Sequence, residues 1–358
     1  MTFPGHMKQV HALQQPKGAG FLLVALSLWL LTAALISPAS EAAPLVPGDP
    51  RDTDESILGP NRCAECHTEE FEVWKNSGHE TASRLLTRSK SAKAMGKALG
   101  IRRIKSDSRC TTCHFTMQVV ADKSKALAGV SCESCHGAAE DWLDLHQDFG
   151  SKGSLIEDES KEHRDKRLGD CDSAGMVRTG KVHRMAGQCF ACHVIDDEEL
   201  VDVAGHPTGD GFELVAWSQG EIRHNFIRGK GSNASAEKNR LRMLFIAGQM
   251  QELNYSMQAL AKAKGGGSFE AQTVARAKAA MAMLQKLNQL VGLPEVDVVL
   301  AGSEQWSLAA GCLEQAKELA MRVEHCSQSL ERRADGSEFG ALDSLLPSAE
   351  TYRGQPAK

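Results

Sequence analysis

One short motif occurs four times in the sequence, and its residue types indicate covalent attachment of a cofactor. Each copy has two cysteines separated by two residues and followed directly by a histidine. The copies are Cys63-Ala64-Glu65-Cys66-His67, Cys110-Thr111-Thr112-Cys113-His114, Cys132-Glu133-Ser134-Cys135-His136 and Cys189-Phe190-Ala191-Cys192-His193. Two such thiols can add across the vinyl groups of a haem, and the adjacent histidine then becomes its proximal iron ligand. A single copy could also be a redox dithiol or half of a zinc site, but four copies predict a c-type cytochrome with four covalently bound haems.

Two further histidines are candidates for the opposite, distal position on an iron. The segment from Thr68 to Glu80 is acidic at its start and free of proline, which predicts a helix that Gly78 interrupts. On that helix His67 and His79 would be about 18 Å apart. Two nitrogens on one iron are only about 4 Å apart, taking metal–imidazole bonds near 2 Å. His79 would therefore bind the iron of a different haem, and the same argument applies to His146, ten residues beyond His136.

The order and spacing of these residues resemble the tetrahaem cytochrome c-554 family. The shared pattern is a first motif followed by Trp74 and His79, a second motif, then Gly-Val-x-Cys-Glu-Ser-Cys-His-Gly from Gly129 with His146 beyond it, and a fourth motif. The resemblance covers about residues 61–224. Members of that family are periplasmic electron carriers, best known for accepting electrons from hydroxylamine oxidoreductase in ammonia-oxidising bacteria.

The resemblance also implies a set of distal ligands. The histidine that matches His146 caps the first haem, the one that matches His79 caps the third, and a late histidine, here His224, caps the fourth. The second haem is five-coordinate in the best-known member. This sequence departs from that pattern because it offers extra histidines, chiefly His206 and His183. A proline and glycines beside His206 predict a fixed, exposed loop that could present it to an iron, and the choice between the two stays open.

The number of distal ligands separates two classes of function. An iron with two histidines passes electrons but has no position for a substrate. If His79, His146, His206 and His224 all bind iron, the protein relays electrons between a redox protein donor and acceptor, with a membrane quinol-linked complex as one candidate partner. If the second haem has no distal ligand, the alternative is a haem enzyme that reduces or binds a small nitrogen or sulfur species. Nucleic acid is not an expected partner, because the formal net charge is −5.

The N-terminal segment predicts export. Lysines precede an apolar run from Phe21 to Ile36, and small residues near Ala42 suit a signal peptidase. We therefore expect a cleaved signal peptide over residues 1–42, a linker over residues 43–60 and a periplasmic location, with an uncleaved membrane anchor as the alternative.

The composition changes near residue 232, after an expected haem domain over residues 61–232. Apolar stripes predict amphipathic helices over Ser235 to Lys264, Phe269 to Val291 and Gln305 to Leu330. Such stripes cannot be buried separately, so we expect a small antiparallel helical bundle over residues 233–333. A loosely ordered tail is expected over residues 334–358. The predicted fold class is mainly α, with little regular strand.

Three cysteines lie outside the motifs. Cys312 and Cys326 would be about 21 Å apart on the last predicted helix, too far for a disulfide between them. We expect them to be buried as small hydrophobic residues, whereas the pairing of Cys171 stays open.

Overall fold

The computed structural model describes residues 56–151, 153–209, 211–226 and 232–356, which are mainly helical. The predictions for residues 1–42 and for most of residues 43–60 lie outside this part of the chain. Within it, no helix is long and apolar enough to cross a membrane.

Short helices joined by loops carry the four motifs. They are α1 (Pro60–Cys63), α2 (Thr68–Lys75), α3 (Gly78–Leu86), α4 (Lys90–Ala98), α5 (Ser108–His114), α6 (Cys132–His136), α7 (Leu143–His146), α8 (Lys161–Ser173), α9 (Val182–His193), α10 (Glu198–Asp202) and α11 (Leu214–Ser218). The predicted interruption at Gly78 is present, because α2 ends at Lys75 and α3 begins at Gly78. In the second, third and fourth motifs both cysteines and the histidine lie on one helix. Residues three apart share a helix face, so the two thiols of each motif point to the same side.

A single hairpin provides the strands of the described residues. β1 (Thr116–Val120) pairs antiparallel with β2 (Lys123–Ala128). The two connecting residues, Ala121 and Asp122, have φ of 48° and 60°, as a two-residue turn between twisted strands requires. The expectation of a mainly helical fold with little regular strand is confirmed.

The C-terminal helices differ in part from those predicted. They are α12 (Lys238–Lys262), α13 (Ser268–Val291), α14 (Pro294–Leu300) and α15 (Leu313–Arg333). The third predicted helix begins late because the chain turns at Gly311, where φ is 79°, and Cys312 is only the N-cap of α15. Cys312 and Cys326 do not form a disulfide with each other, as expected. The helix α14 was not expected; Pro294 is its first residue, a position where proline is well tolerated.

The bundle and the fourth motif share one hydrophobic core. Phe190 of α9 is buried in the same cluster as Met250 and Leu253 of α12 and Leu284 of α13. All described residues belong to one compact unit of the chain, Val46–Lys358. The expected boundary at residue 232 therefore does not separate two cores.

The prediction of a loosely ordered tail is wrong for the described residues. A 3₁₀ segment, Ser337–Ser344, buries Phe339 and Leu342. Asp343 accepts hydrogen bonds from the Arg242 guanidinium at 2.7 and 3.1 Å, which ties this segment to α12. Cys312 and Cys326 are free and buried, as expected of small hydrophobic residues, and Cys171, whose pairing was left open, is also free and buried.

Candidate haem-binding sites

Each motif histidine faces one further histidine ring from a distant part of the chain. The ring centroids are 6.3 Å apart for His67 and His146, 6.2 Å for His114 and His206, 6.4 Å for His136 and His224, and 6.3 Å for His193 and His79. The structure thus brings all four distal candidates opposite a motif histidine. Nearly the same gap occurs four times, which points to one kind of group between the rings.

The gap fits an iron ion with two axial imidazoles. Two metal–nitrogen bonds of about 2 Å separate the facing nitrogens by about 4 Å, and about 1.1 Å from each nitrogen to its ring centre gives roughly 6.2 Å in total. The cysteines that would attach the haems stand one and four positions before each motif histidine in the sequence, and they are Cys63, Cys66, Cys110, Cys113, Cys132, Cys135, Cys189 and Cys192. The residues present therefore fit a bis-histidine haem at each motif.

Hydrogen bonds orient four of these eight imidazoles. Nδ1 of His136 lies 3.0 Å from the carbonyl oxygen of Val177, and Nδ1 of His206 and of His224 lies 2.7 Å from a carbonyl of its own loop. Nδ1 of His146 meets the carbonyl oxygen of Leu143. A carbonyl oxygen only accepts, so Nδ1 must carry the proton and Nε2 keeps its lone pair. Such a bond is what usually orients a metal-binding histidine.

Burial keeps several of these imidazoles neutral, as iron ligands must be. Burial, with a smaller contribution from neighbouring histidines, lowers the pKa of His114 and of His136 to about 4 and that of His193 to about 3. Burial also lowers the pKa of His79 and of His146. Neutral imidazole is the form that binds a metal.

Two of the pairs differ from those that the family resemblance implies. His79 faces His193 of the fourth motif, whereas the resemblance places it on the third haem. His224 faces His136 of the third motif, whereas the resemblance places it on the fourth. Compared with the family pattern, His79 and His224 thus exchange the motif histidines that they face.

The two extra histidines, His206 and His183, lie in different surroundings, and only one of them faces the second motif. The loop of His206 brings its ring opposite His114. His183 is buried elsewhere, where its Nε2 lies 3.1 Å from a carboxylate oxygen of Glu324 and its Nδ1 lies 3.0 Å from the side-chain nitrogen of Gln251. Both ring nitrogens of His183 are thus engaged inside the bundle, and the geometry favours His206 as the distal candidate.

Glu133, inside the third motif, joins the first and third motifs. Its side chain is buried and accepts backbone N–H bonds from Leu58 at 2.9 Å, Gly59 at 2.6 Å and Ala139 at 3.0 Å. These bonds fix the chain just before α1 to the turn after α6. The motif requires no particular residue at this position, so sequence reasoning missed it.

Residues from beyond the motifs fix the ring and backbone of His193. Phe212 stacks on its ring at 4.1 Å between centroids, and Trp217 packs at its edge at 5.2 Å. Nη1 of Arg276, on α13, donates to the carbonyl oxygens of His193 at 3.0 Å and Thr208 at 2.9 Å. The bundle thereby contacts both the fourth motif and the loop that carries His206.

Two buried donors next to distal histidines have no partner among the described residues. They are Nε1 of Trp142, whose ring packs on His146, and Nε of Arg223, next to His224. A buried donor without an acceptor is costly. Each of these N–H groups could donate a hydrogen bond to a carboxylate of a bound haem. They therefore agree with the distances between the histidine rings, which also suit a haem.

The motifs also lie close to one another. The thiols of Cys63 and Cys132 are hydrogen-bonded, which lowers the pKa of Cys63 and raises that of Cys132. The charge that Cys135 can carry acts on Cys189, and His114 lies near enough to His193 to lower its pKa. These contacts order the motifs as first, third, fourth and second.

Comparisons with known proteins agree with the motif pattern. The family model described as cytochrome c554 and c-prime matches residues 62–137. Cytochrome c-554 of Nitrosomonas europaea is 26% identical over 158 residues, which are 42% of this chain and 63% of that protein. The match thus covers less than two thirds of that relative's length. No solved structure matches the chain.

Proposed function

The chain is a member of the cytochrome c-554 family through its motif region, a c-type cytochrome with covalently bound haem, and we propose that it relays electrons between redox proteins through four haems. The observation that carries this proposal is the set of four histidine pairs, each with the gap that one iron fills. Each haem, when bound, would supply a one-electron iron couple.

The polypeptide's role in this relay is to saturate and shield each iron. His146, His206, His224 and His79 would occupy the distal positions, so that no position is left for a substrate. The Nδ1 bonds described above hold three of these rings in the orientation that a metal requires, so little rearrangement would accompany a change of charge. The order first, third, fourth and second motif offers a continuous path for electrons.

Location and partners belong to the same proposal. Covalent haem attachment and the apolar N-terminal run support export to the periplasm with removal of a signal peptide. The relative from Nitrosomonas europaea supports an electron carrier by its name alone. A redox protein donor and acceptor, one of them in a membrane quinol-linked complex, are the partners we propose.

The alternative is an enzyme that binds a small nitrogen or sulfur species at an open second haem. Its requirement is a distal position without a ligand. His206 lies opposite His114 at the same gap as in the other pairs, which favours the carrier.

Electron paramagnetic resonance of the ferric protein, with optical spectra of the reduced protein before and after carbon monoxide, tests the proposal. We expect low-spin signals alone and no carbon monoxide shift, together with a mass that corresponds to four haems per chain. A high-spin signal near a quarter of the haem, with a carbon monoxide shift, would instead favour the enzyme.

A further inference from the structure

A strongly basic segment stands out in an otherwise acidic chain. From Thr81 to Ser106 the sequence contains eight lysines and arginines and no aspartate or glutamate, although the whole chain has a formal net charge of −5. We call this segment, residues 84–105, the basic face. Its cations are all exposed, and they are Arg84, Arg88, Lys90, Lys93, Lys97, Arg102, Arg103 and Lys105.

The charge of the basic face is largely uncompensated. Arg84 lies 3.4 Å from a carboxylate oxygen of Glu80. In the described part of the chain, no other cation of the face has a carboxylate oxygen within 4 Å. Elsewhere many cations are paired, as in Lys262 with Asp196 and Lys264 with Glu199. Closely spaced unpaired charges of one sign produce a local potential that attracts an oppositely charged partner.

The basic face borders the cleft of the second motif. Apolar side chains of the same segment, including Met95, Ile101 and Ile104, line this cleft together with Cys110, His114 and His206. A shallower groove beside it is lined by Lys93, Lys97, Arg102, Arg103 and Lys105, and the two share Gly96, Ile101 and Ile104. Five cations of the basic face therefore lie in a groove that adjoins the cleft of the second motif, on a side from which a partner could approach the second haem.

We propose that the basic face docks an acidic surface of a redox protein and that electrons are exchanged with that protein at the second motif. This inference rests on the electron-carrier function proposed above. In the exchange one electron would pass between the partner's redox centre and the haem iron that His114 and His206 would hold. One centre is oxidised as the other is reduced, and no bond is made or broken. The second motif is also an end of the motif order, as a point of exchange should be.

The residue types of the face favour a protein partner over a membrane or a nucleic acid. Between Thr81 and Ser106 there is no tryptophan, tyrosine or phenylalanine. Helices that lie in a membrane surface typically place aromatic residues in the lipid, and proteins that bind single strands stack bases on them. Charge complementarity without aromatic anchors is sufficient for a transient redox encounter.

Two triple variants of the full haem-loaded protein test the proposal. Lys93→Glu/Lys97→Glu/Arg103→Glu reverses the basic face. Lys278→Glu/Lys286→Glu/Arg332→Glu makes the same change in net charge at exposed positions of the bundle. The probes are a fluorescent oligoglutamate peptide, whose binding is followed by anisotropy, and hexacyanoferrate(III), which takes one electron from the reduced protein.

We expect the face variant to lose oligoglutamate binding and to reduce hexacyanoferrate(III) at least about tenfold more slowly at low salt, because steering by local charge changes rates by roughly 10 to 1,000-fold. The control variant should retain both, and the difference should shrink as salt is added. Equal effects of the two triple variants would overturn the proposal. Loss of binding to phosphatidylglycerol vesicles alone, with both other readouts unchanged, would also overturn it in favour of a lipid surface.

The haem mass and the low-spin spectrum of the same samples test the four-haem carrier function on its own. A failure of the docking proposal can therefore be told apart from a failure of that function. The three substituted side chains are exposed, so both properties should be unchanged. If charge reversal perturbs the spectrum, Lys93→Gln/Lys97→Gln/Arg103→Gln removes the charge with less repulsion, and the same loss of oligoglutamate binding is expected.

Discussion

Nη1 of Arg276 lies 3.0 Å from the carbonyl oxygen of His193, so the bundle helix α13 holds the fourth motif in place. The same nitrogen donates to the carbonyl oxygen of Thr208, two residues after His206. Gly209 allows this close approach: its φ is 83°, and a Cβ there would lie 2.3 Å from the carbonyl oxygen of His193. One side chain thus fixes a proximal histidine of one site and the distal loop of another.

Replacing Arg276 should destabilise the protein and loosen the second site. Its guanidinium pairs with Glu252 at 2.9 Å, and both side chains are at most 14% exposed. Arg276→Gln leaves that carboxylate buried without its partner, which costs about 3–5 kcal/mol in the free energy of unfolding. Urea unfolding measures this cost. Electron paramagnetic resonance should show a partial high-spin signal because the loop that presents His206 is no longer held.

A double variant separates the ion pair from the backbone bonds. Arg276→Gln/Glu252→Gln removes the stranded charge, so most of the stability should return, whereas the two carbonyls still lack their cationic donor. The high-spin signal should therefore persist in the double variant. A signal that disappears together with the stability defect would show that Arg276 acts only through its ion pair.

The distal role of His206 leads to a second prediction. His206→Ala should open one iron of four, giving a high-spin signal near a quarter of the haem and a carbon monoxide shift. His325→Ala, at an exposed position on α15, is the matched control and should change neither. His183→Ala should also leave every iron low-spin, since His183 contacts Gln251 and Glu324. A high-spin signal in His183→Ala would reverse the choice between the two histidines.

The residue types of the candidate sites could be predicted from the sequence, but only one pairing implied by the family resemblance, His146 with His67, agrees with the structure. Residue types and spacing name the eight cysteines and the proximal histidines, since both are local properties of the motif. The approach of His79 to His193 depends on the path of more than a hundred intervening residues, which no short pattern encodes. For His206 a local signal existed, because the proline and glycines beside it indicate a fixed loop.

The helices were predictable where an apolar stripe continues for many turns. This holds for α12 and α13, whose bounds lie within a few residues of those expected. The buried Phe339 and Leu342 were missed because a short 3₁₀ segment gives no periodic pattern. Arg276 and Glu252 were missed for a different reason: charged residues on an amphipathic helix usually indicate a solvated face, and only tertiary contacts show that these two are buried.

A third prediction concerns stability in acid. Hydrogen bonds from the Arg167 guanidinium, with a smaller contribution from His163, lower the pKa of Glu159 from 4.5 to about 2. Arg167 also donates to the carbonyl oxygen of His146 at 2.9 Å. A folded-state pKa below the unfolded value stabilises the protein above about pH 4.5, and this contribution is lost as pH falls towards 2. Glu159→Gln should therefore lower the free energy of unfolding at neutral pH.

The acid dependence distinguishes this cause from a loss of packing. The difference between wild type and Glu159→Gln, measured by urea unfolding, should shrink as pH falls below about 4.5 and vanish near pH 2. Lys161→Gln removes an exposed cation of the neighbouring helix and should show no such trend. A difference that is constant across this range would mean that the charge of Glu159 contributes nothing.

The exchanged positions of His79 and His224 give the last prediction. Cys189→Ala/Cys192→Ala removes the attachment of the fourth haem and should lower the mass to three haems. In that background His224→Ala should produce a new high-spin signal, because His224 faces His136 of the intact third site. His79→Ala should add none, because its partner His193 no longer holds a haem. The pairing implied by the family resemblance predicts the opposite result.

The reciprocal background, Cys132→Ala/Cys135→Ala, provides the control: there His79→Ala should open an iron and His224→Ala should not. If each histidine variant gives a high-spin signal in only one of the two backgrounds, a general loosening of the structure is excluded. Such loosening would make both variants high-spin in both backgrounds.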